Sequence, residues 1–196
     1  MNPTIILASQ SPRRKELLEK AGVKFRIVAS PYEEDMSHQM PPRQLARFLA
    51  YQKALAVACK HKNSIIIGAD TLVICKGKLY GKPKTKDEAR AMLQSYRGTY
   101  NTVITGLSII KTAANSADKT RVITRAIVSK VFFKRITDKQ IDDYIATGDP
   151  FDKSGGYSVQ GLAKSFIEKV EGPIDNVIGL PVKPLLRALK SIDKKL

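Results

Sequence analysis

The sequence has no tryptophan, two cysteines, two histidines and only 18 acidic residues in a chain of 196. Each shortage excludes something. Cys59 and Cys75 form no CxxC pair, and with His38 and His61 alone to join them a structural zinc site is excluded. Both cysteines sit in apolar surroundings and read as buried thiols of a reducing cytosol, so a cytoplasmic location is expected. The longest strictly apolar run is the six residues from Ala54 to Cys59, whereas a membrane span needs about 20. No basic residue precedes Ile5-Ile6-Leu7, so no signal peptide is expected. Aromatic residues make up 7% of the chain, and no RRM, KH or zinc-finger pattern is present. A nucleic-acid-binding protein is therefore the weaker class of reading.

What is abundant is positive charge. Thirty-four Lys and Arg against 18 Asp and Glu give +16, which raises the expectation of an anionic partner such as a phosphorylated small molecule. Hydrophobic residues at 43% and charged residues at 27% are ordinary for a globular protein. The length suits one domain, or two small lobes around a shared core. The expectation is a single domain over 1–196.

Strand and helix patterns alternate along the chain. Thr4 to Ser9 reads as a buried strand that runs into a helix with Ser11 as N-cap and Pro12 at its first position. Pro41-Pro42 opens a second helix with Leu45, Phe48, Leu49, Gln52, Leu55, Ala56 and Cys59 along one side. Ser64 to Asp70 is a β-branched strand, which Thr71 to Cys75 extends or reverses. Thr85 to Glu88 and Thr137 to Gln140 are capping boxes; the helix after the first runs through Leu93. Asn101 to Ile110 and Arg121 to Ile136 read as strands around a polar hairpin tip. Phe151 to Gly161 is a Gly-rich loop, Leu162 to Val170 a strand, and Gly179-Leu180-Pro181 leads into a last helix. The class is α/β with a mixed central sheet flanked by helices.

Four segments carry chemistry. In Ser9-Gln10-Ser11-Pro12-Arg13-Arg14-Lys15 the first helical turn is cationic, which the helix dipole disfavours unless an anion is bound. Free backbone N–H groups, hydroxyls and guanidiniums there suit phosphate. Asp70 closes the run Ile65-Ile66-Ile67, and a carboxylate at the end of a buried strand suits a general base or a metal ligand, or merely caps a turn. Lys82, between Gly81 and Pro83, can reach phosphate as a point charge. Glu33 and Glu34 can hold a divalent ion. In Asp152 to Gly161, adjacent glycines permit close backbone approach, Lys153 adds charge, and Gln160 can both donate to and accept from a base edge.

Taken together, LASQSPRRKELL near the start, GADTLV followed by GKP, and DKSGGYSVQG followed by NVIGLP resemble the Maf family of nucleoside triphosphate pyrophosphatases over residues 4 to 190. The resemblance implies two lobes about a deep cleft, similar to the inosine triphosphatase type. It implies hydrolysis of the α–β phosphate bond, with Mg²⁺ or Mn²⁺ as the cofactor. It assigns Asp70 as general base and metal ligand, Ser9, Arg13 and Arg14 as phosphate ligands, Lys53 and Lys82 as cleft lysines, and Glu33 or Glu34 as metal ligands. Arg13, Thr71 and Gln160 resemble the dTTP/UTP branch of the family; the branch acting on 7-methyl-GTP carries Trp, Gln and Glu there. Other or modified nucleotides are the rival substrates. The expected partner is a nucleoside triphosphate, with no membrane, and a homodimer is open.

Overall fold

The structure is a computed structural model that describes residues 3–33, 39–115 and 119–193. In chain order its elements are β1 (Thr4–Leu7), α1 (Pro12–Lys20), β2 (Arg26–Ile27), α2 (Pro42–Ala58), β3 (Ser64–Cys75), β4 (Lys78–Tyr80), α3 (Lys86–Tyr96), β5 (Tyr100–Lys111), β6 (Arg121–Phe133), α4 (Asp138–Ala146), β7 (Ile167–Glu171), α5 (Ile174–Ile178) and α6 (Val182–Ile192). The strands pair in the order β2-β1-β3-β5-β6-β7, with β4 beside β3. β1 runs parallel to β2 and β3, while β4 and β7 pair antiparallel with β3 and β6. The mixed sheet is as expected.

The chain divides into two compact units. The first comprises 1–70, 105–127 and 179–196, and the second 71–104 and 128–178. In the first, strand alternation sorts the core onto two faces. Ile5, Leu7, Ile65, Ile67 and Ala69 bury with Leu18 of α1 and with Leu185 and Leu189 of α6. Ile6, Ala8 and Ile66 bury with Ala54, Val57 and Ala58 of α2. Residues of β3 with even numbers therefore face α2, and Asp70 is one of them.

The second unit is built on aromatic rings. Tyr96, Phe133 and Tyr157 lie with centroids 4.9–5.8 Å apart, and Tyr80 meets Tyr96 edge-on at 5.6 Å. Val73, Met92, Ile141 and Tyr144 complete the cluster. Thr137 and Gln140 form the reciprocal capping box at the start of α4. At α3 only half of the expected box forms: Thr85 accepts from the Glu88 N–H, while the Glu88 carboxylate accepts from the Lys84 N–H at 2.6 Å.

Several expectations are corrected. β3 is one strand of 12 residues, so Asp70 lies within it rather than at its end. The apolar Leu72–Cys75 stretch continues the strand because Val73–Cys75 pair with β4 across a turn at Lys76 and Gly77, both with positive φ. What ends near Asp70 is the parallel ladder, whose last pair is Leu7 with Ile67. Cys59 is exposed and only Cys75 is buried. The buried side of α2 is Leu45, Ala46, Leu49, Ala50, Ala54, Val57 and Ala58, with small residues at its centre, and Cys59 lies past its end. α3 runs on to Tyr96, whose ring anchors the aromatic cluster. β6 stops at Phe133. Residues Leu162–Phe166 form a 3-10 turn and the strand starts only at Ile167, because Gly161 turns the chain at φ 85°. α5 had no signal in the sequence beyond the polar Asp175 and Asn176.

Candidate active site

Three segments of the first unit converge at the carboxyl end of the parallel pair β1/β3. That end is where open α/β sheets place their ligands. β1 finishes at Leu7, Ala8 N–H still donates to Ile67 at 2.8 Å, and the chain then turns through Ser9 into α1. Ser11 caps the helix by accepting from the Arg14 N–H at 3.4 Å, and Pro12 occupies the first turn. That turn contains no acid, and Lys15 reaches Glu19 at only 3.7 Å. Arg13 is half-buried on it.

Ser9 is buried, and its Oγ accepts from the Ser11 N–H and from Arg14 Nη1, both at 3.2 Å. Arg14 Nε donates to the Gly179 carbonyl at 2.9 Å. Arg14 thus ties the β1–α1 turn to the segment that leads into α6. The sequence pattern marks Arg14 as a phosphate ligand and shows no sign of this tie, because Gly179 is 165 residues away.

Asp70 is 5% exposed. Its Oδ1 accepts from Lys53 Nζ at 2.5 Å, the two side chains being 7% and 13% exposed. Lys53 stands on α2, on the face turned toward the even-numbered residues of β3. Such a pair survives burial only when the attraction and hydrogen bond between the charges offset their lost hydration. Asp70 is legible from its strand pattern, and Lys53 only from the family resemblance.

Thr71, Lys82, Lys153 and Gln160 belong to the second unit. Thr71 follows Asp70 and so points to the opposite face of β3. Lys82 is exposed. The Gly81 carbonyl accepts from the Gly155 N–H at 2.8 Å, and the Gly155 carbonyl accepts from the Tyr96 hydroxyl at 3.1 Å. These bonds bring the Gly81-Lys82-Pro83 turn against the Lys153–Gly156 segment. A Cβ at Gly155 would lie 2.8 Å from Val73 Cγ1, and its φ is 78°, so both space and conformation require glycine there.

Lys153 donates to the Asp149 carbonyl at 2.7 Å, to Asp149 Oδ1 at 3.0 Å and to Asp152 Oδ1 at 2.6 Å. All three donors of its ammonium are engaged inside its own loop. Tyr144 donates to the other oxygen of Asp149 at 2.6 Å; burial, with that carboxylate beside it, pushes the Tyr144 phenol well above its usual range. Gln160 is exposed, its N–H donating to Ser158 Oγ at 3.2 Å. Tyr157, in the same loop, is buried. It donates to Asn101 Oδ1 at 2.9 Å, and burial raises its phenol.

Glu33 is exposed, and Glu34 lies outside the described residues. Among the described residues no group of three or more His, Cys, Asp or Glu could hold a metal ion. A site built on Asp70 still fits Mg²⁺, which is commonly bound by one or two carboxylates together with substrate phosphates and waters. No helix among the described residues is long and apolar enough to cross a membrane.

Comparison with known proteins shows the family of the chain. Residues 4–192 match the Maf-like protein family. The dTTP/UTP pyrophosphatase of Geobacillus sp. (strain WCH70) is 44% identical over 190 residues, covering 96% of this chain and 97% of that one. The dTTP/UTP pyrophosphatase of Citrifermentans bemidjiense is 42% identical over 191 residues, covering 97% and 96%. That of Bacillus cereus (strain ATCC 14579) is 42% identical over 189 residues, covering 96% and 95%. A solved nucleoside-triphosphatase / dITP/XTP pyrophosphatase from Mycobacterium abscessus is similar at 13% identity and a TM-score of 0.40, covering 96% and 97%, a likeness too slight to argue from. The family match and the relatives at 42–44% identity extend over nearly the whole chain, so the chain belongs to the Maf-like protein family.

Proposed function

We propose that the chain, working as one domain in the cytoplasm, is a nucleoside triphosphate pyrophosphatase that converts dTTP and UTP to the monophosphate and pyrophosphate. The observation that carries this reading is the buried Lys53–Asp70 pair, at the same end of the parallel strands as the cationic first turn of α1. Its relatives named dTTP/UTP pyrophosphatase support the reaction and the substrates.

The chemistry follows from the groups present. The backbone N–H groups at the start of α1 and the Arg13 guanidinium bind phosphate oxygens. Lys82 adds a point charge to the triphosphate. Asp70, fixed through Oδ1 by Lys53, takes a proton from the attacking water on its other oxygen. The water oxygen bonds to the α-phosphorus as the bridging α–β P–O bond breaks, and pyrophosphate leaves with the bonding electrons. Asp70, with Glu33 or Glu34, would hold a divalent cation together with the phosphates, and that cation would neutralise phosphate charge. Gln160 reads the imide edge of uracil or thymine through its donor and its acceptor. Lys153 braces the loop that carries Gln160.

A screen of nucleoside triphosphates with Mg²⁺, scoring pyrophosphate release, tests this. Preferential release from dTTP and UTP is the expected result. Faster turnover of GTP or ATP contradicts the substrate assignment, and inorganic phosphate as the first product contradicts the bond assignment.

A further inference from the structure

We propose that Gly68 and Gly106 are positioning residues for the Lys53–Asp70 pair, because they let α2 settle onto the sheet without an intervening Cβ. The two glycines lie on β3 and β5, which are neighbours in the sheet. A Cβ at Gly68 would run into the Ala50 carbonyl oxygen and would lie 2.8 Å from Ala54 Cβ and 2.9 Å from the Ala54 nitrogen. A Cβ at Gly106 would run into the Ala46 carbonyl and would lie 2.9 Å from the Arg47 nitrogen. Neither glycine has a positive φ, so the requirement is for space and not for conformation.

On the helix, Ala46, Ala50 and Ala54 fall at i, i+4 and i+8, one stripe of fully buried small residues. At Gly106 the contact is backbone against backbone, and at Gly68 the only side-chain atom among the nearest obstructions is the Ala54 Cβ, so no flexible side chain is present to yield. Lys53 is the residue next to Ala54, and Asp70 is two residues beyond Gly68 on the same face of β3. The seat of the helix and the 2.5 Å ion pair are therefore adjacent parts of one contact. Lifting the helix by about 1 Å would stretch this contact from 2.5 Å toward the far end of hydrogen-bond reach and weaken the hold of Nζ on Oδ1.

The inference rests on the reading of Asp70 as the base fixed by Lys53. A double-mutant cycle on pyrophosphate release from dTTP separates the two claims. Gly68→Ala should lower kcat by about ten- to a hundred-fold, the scale of a 1 Å misplacement at a catalytic group, with the secondary structure retained by circular dichroism. In the Lys53→Met background the same change should cost less than about threefold, because the contact it disturbs is already gone. Gly68→Ala combined with Ala54→Gly, which removes one of the obstructing atoms, should recover part of the loss. Equal costs of Gly68→Ala in the two backgrounds overturn the positioning role and leave the base assignment standing. Full activity of Lys53→Met overturns the reading of the pair itself. If neither Gly68→Ala nor its combination with Ala54→Gly folds, the glycine is a folding requirement and the proposal fails.

Discussion

Lys153 and Lys53 meet aspartates at nearly equal distances in settings of opposite character. Lys153 meets Asp149 at 3.0 Å and Asp152 at 2.6 Å, partners four residues and one residue away in its own loop. Lys53 meets Asp70 at 2.5 Å across 17 residues, from a helix to a strand. Lys153 is as buried as Lys53, but its partner Asp152 is 68% exposed, so that side of the loop cluster is hydrated and screened. The Lys53–Asp70 pair has little water on either side. A local, saturated pair fixes the shape of a loop. A buried pair brought together by the fold, with one carboxylate oxygen committed, is equipped to act on a substrate.

Changes on the two sides of this comparison should have unequal effects. Lys53→Met leaves Asp70 in place without its donor and should lower kcat for dTTP by about 10², as loss of one preorganised donor does. A loss below fivefold would move Lys53 to the structural side. Gln160→Glu replaces a group that both donates and accepts with one that only accepts, set against the two carbonyls of an imide. The kcat/KM ratio of UTP over GTP should fall about tenfold, since one mispaired polar contact costs on the order of 1–3 kcal/mol. Equal losses on both nucleotides would show that Gln160 shapes the loop and does not read the base.

Lys153→Met removes the loop's own brace. It should lower stability by about 1–3 kcal/mol, the range for hydrogen bonds to a charged group, visible as a Tm lower by a few degrees. KM should rise, and kcat should stay within about threefold. A hundred-fold drop in kcat would make Lys153 a partner of the substrate.

The smallest effect is a titration. Of the seven tyrosines, Tyr96, Tyr144 and Tyr157 have phenols raised chiefly by burial. The fold favours their neutral form, so this stabilisation is complete below the unfolded value near 10 and is lost as pH rises toward the folded ones. Ultraviolet titration of the folded protein should therefore show these three ionising only with alkaline unfolding. Seven phenols titrating together near pH 10 while the fold persists would contradict the aromatic core.

Local signals in the sequence were legible and long-range ones were not. Ser11-Pro12 and the Thr137–Gln140 box each resolve one helix start within a few residues, and the structure places them as read. The β1 and β3 patterns were plain because consecutive β-branched residues bury on both faces of a parallel pair. Cys59 was misjudged because an apolar run does not show which side of a helix meets the sheet. That side is set by Gly68 and Gly106, which lie on other elements. The tie from Arg14 to Gly179 was not legible because its acceptor is on a distant segment. Lys153 reads as a ligand from its charge, and the acids that engage it in the structure, Asp149 and Asp152, are close to it in sequence.

The most direct test sets the two aspartates side by side. Pyrophosphate release from dTTP is measured at saturating substrate for Asp70→Asn and Asp149→Asn, with folding of both verified by circular dichroism. Loss of the general base should lower kcat of Asp70→Asn by about 10² to 10⁴, while Asp149→Asn should stay within about threefold of the wild type with a reduced Tm. If Asp70→Asn keeps more than a tenth of the wild-type turnover, or if the two variants lose activity equally, the chemistry does not belong to the Lys53–Asp70 pair.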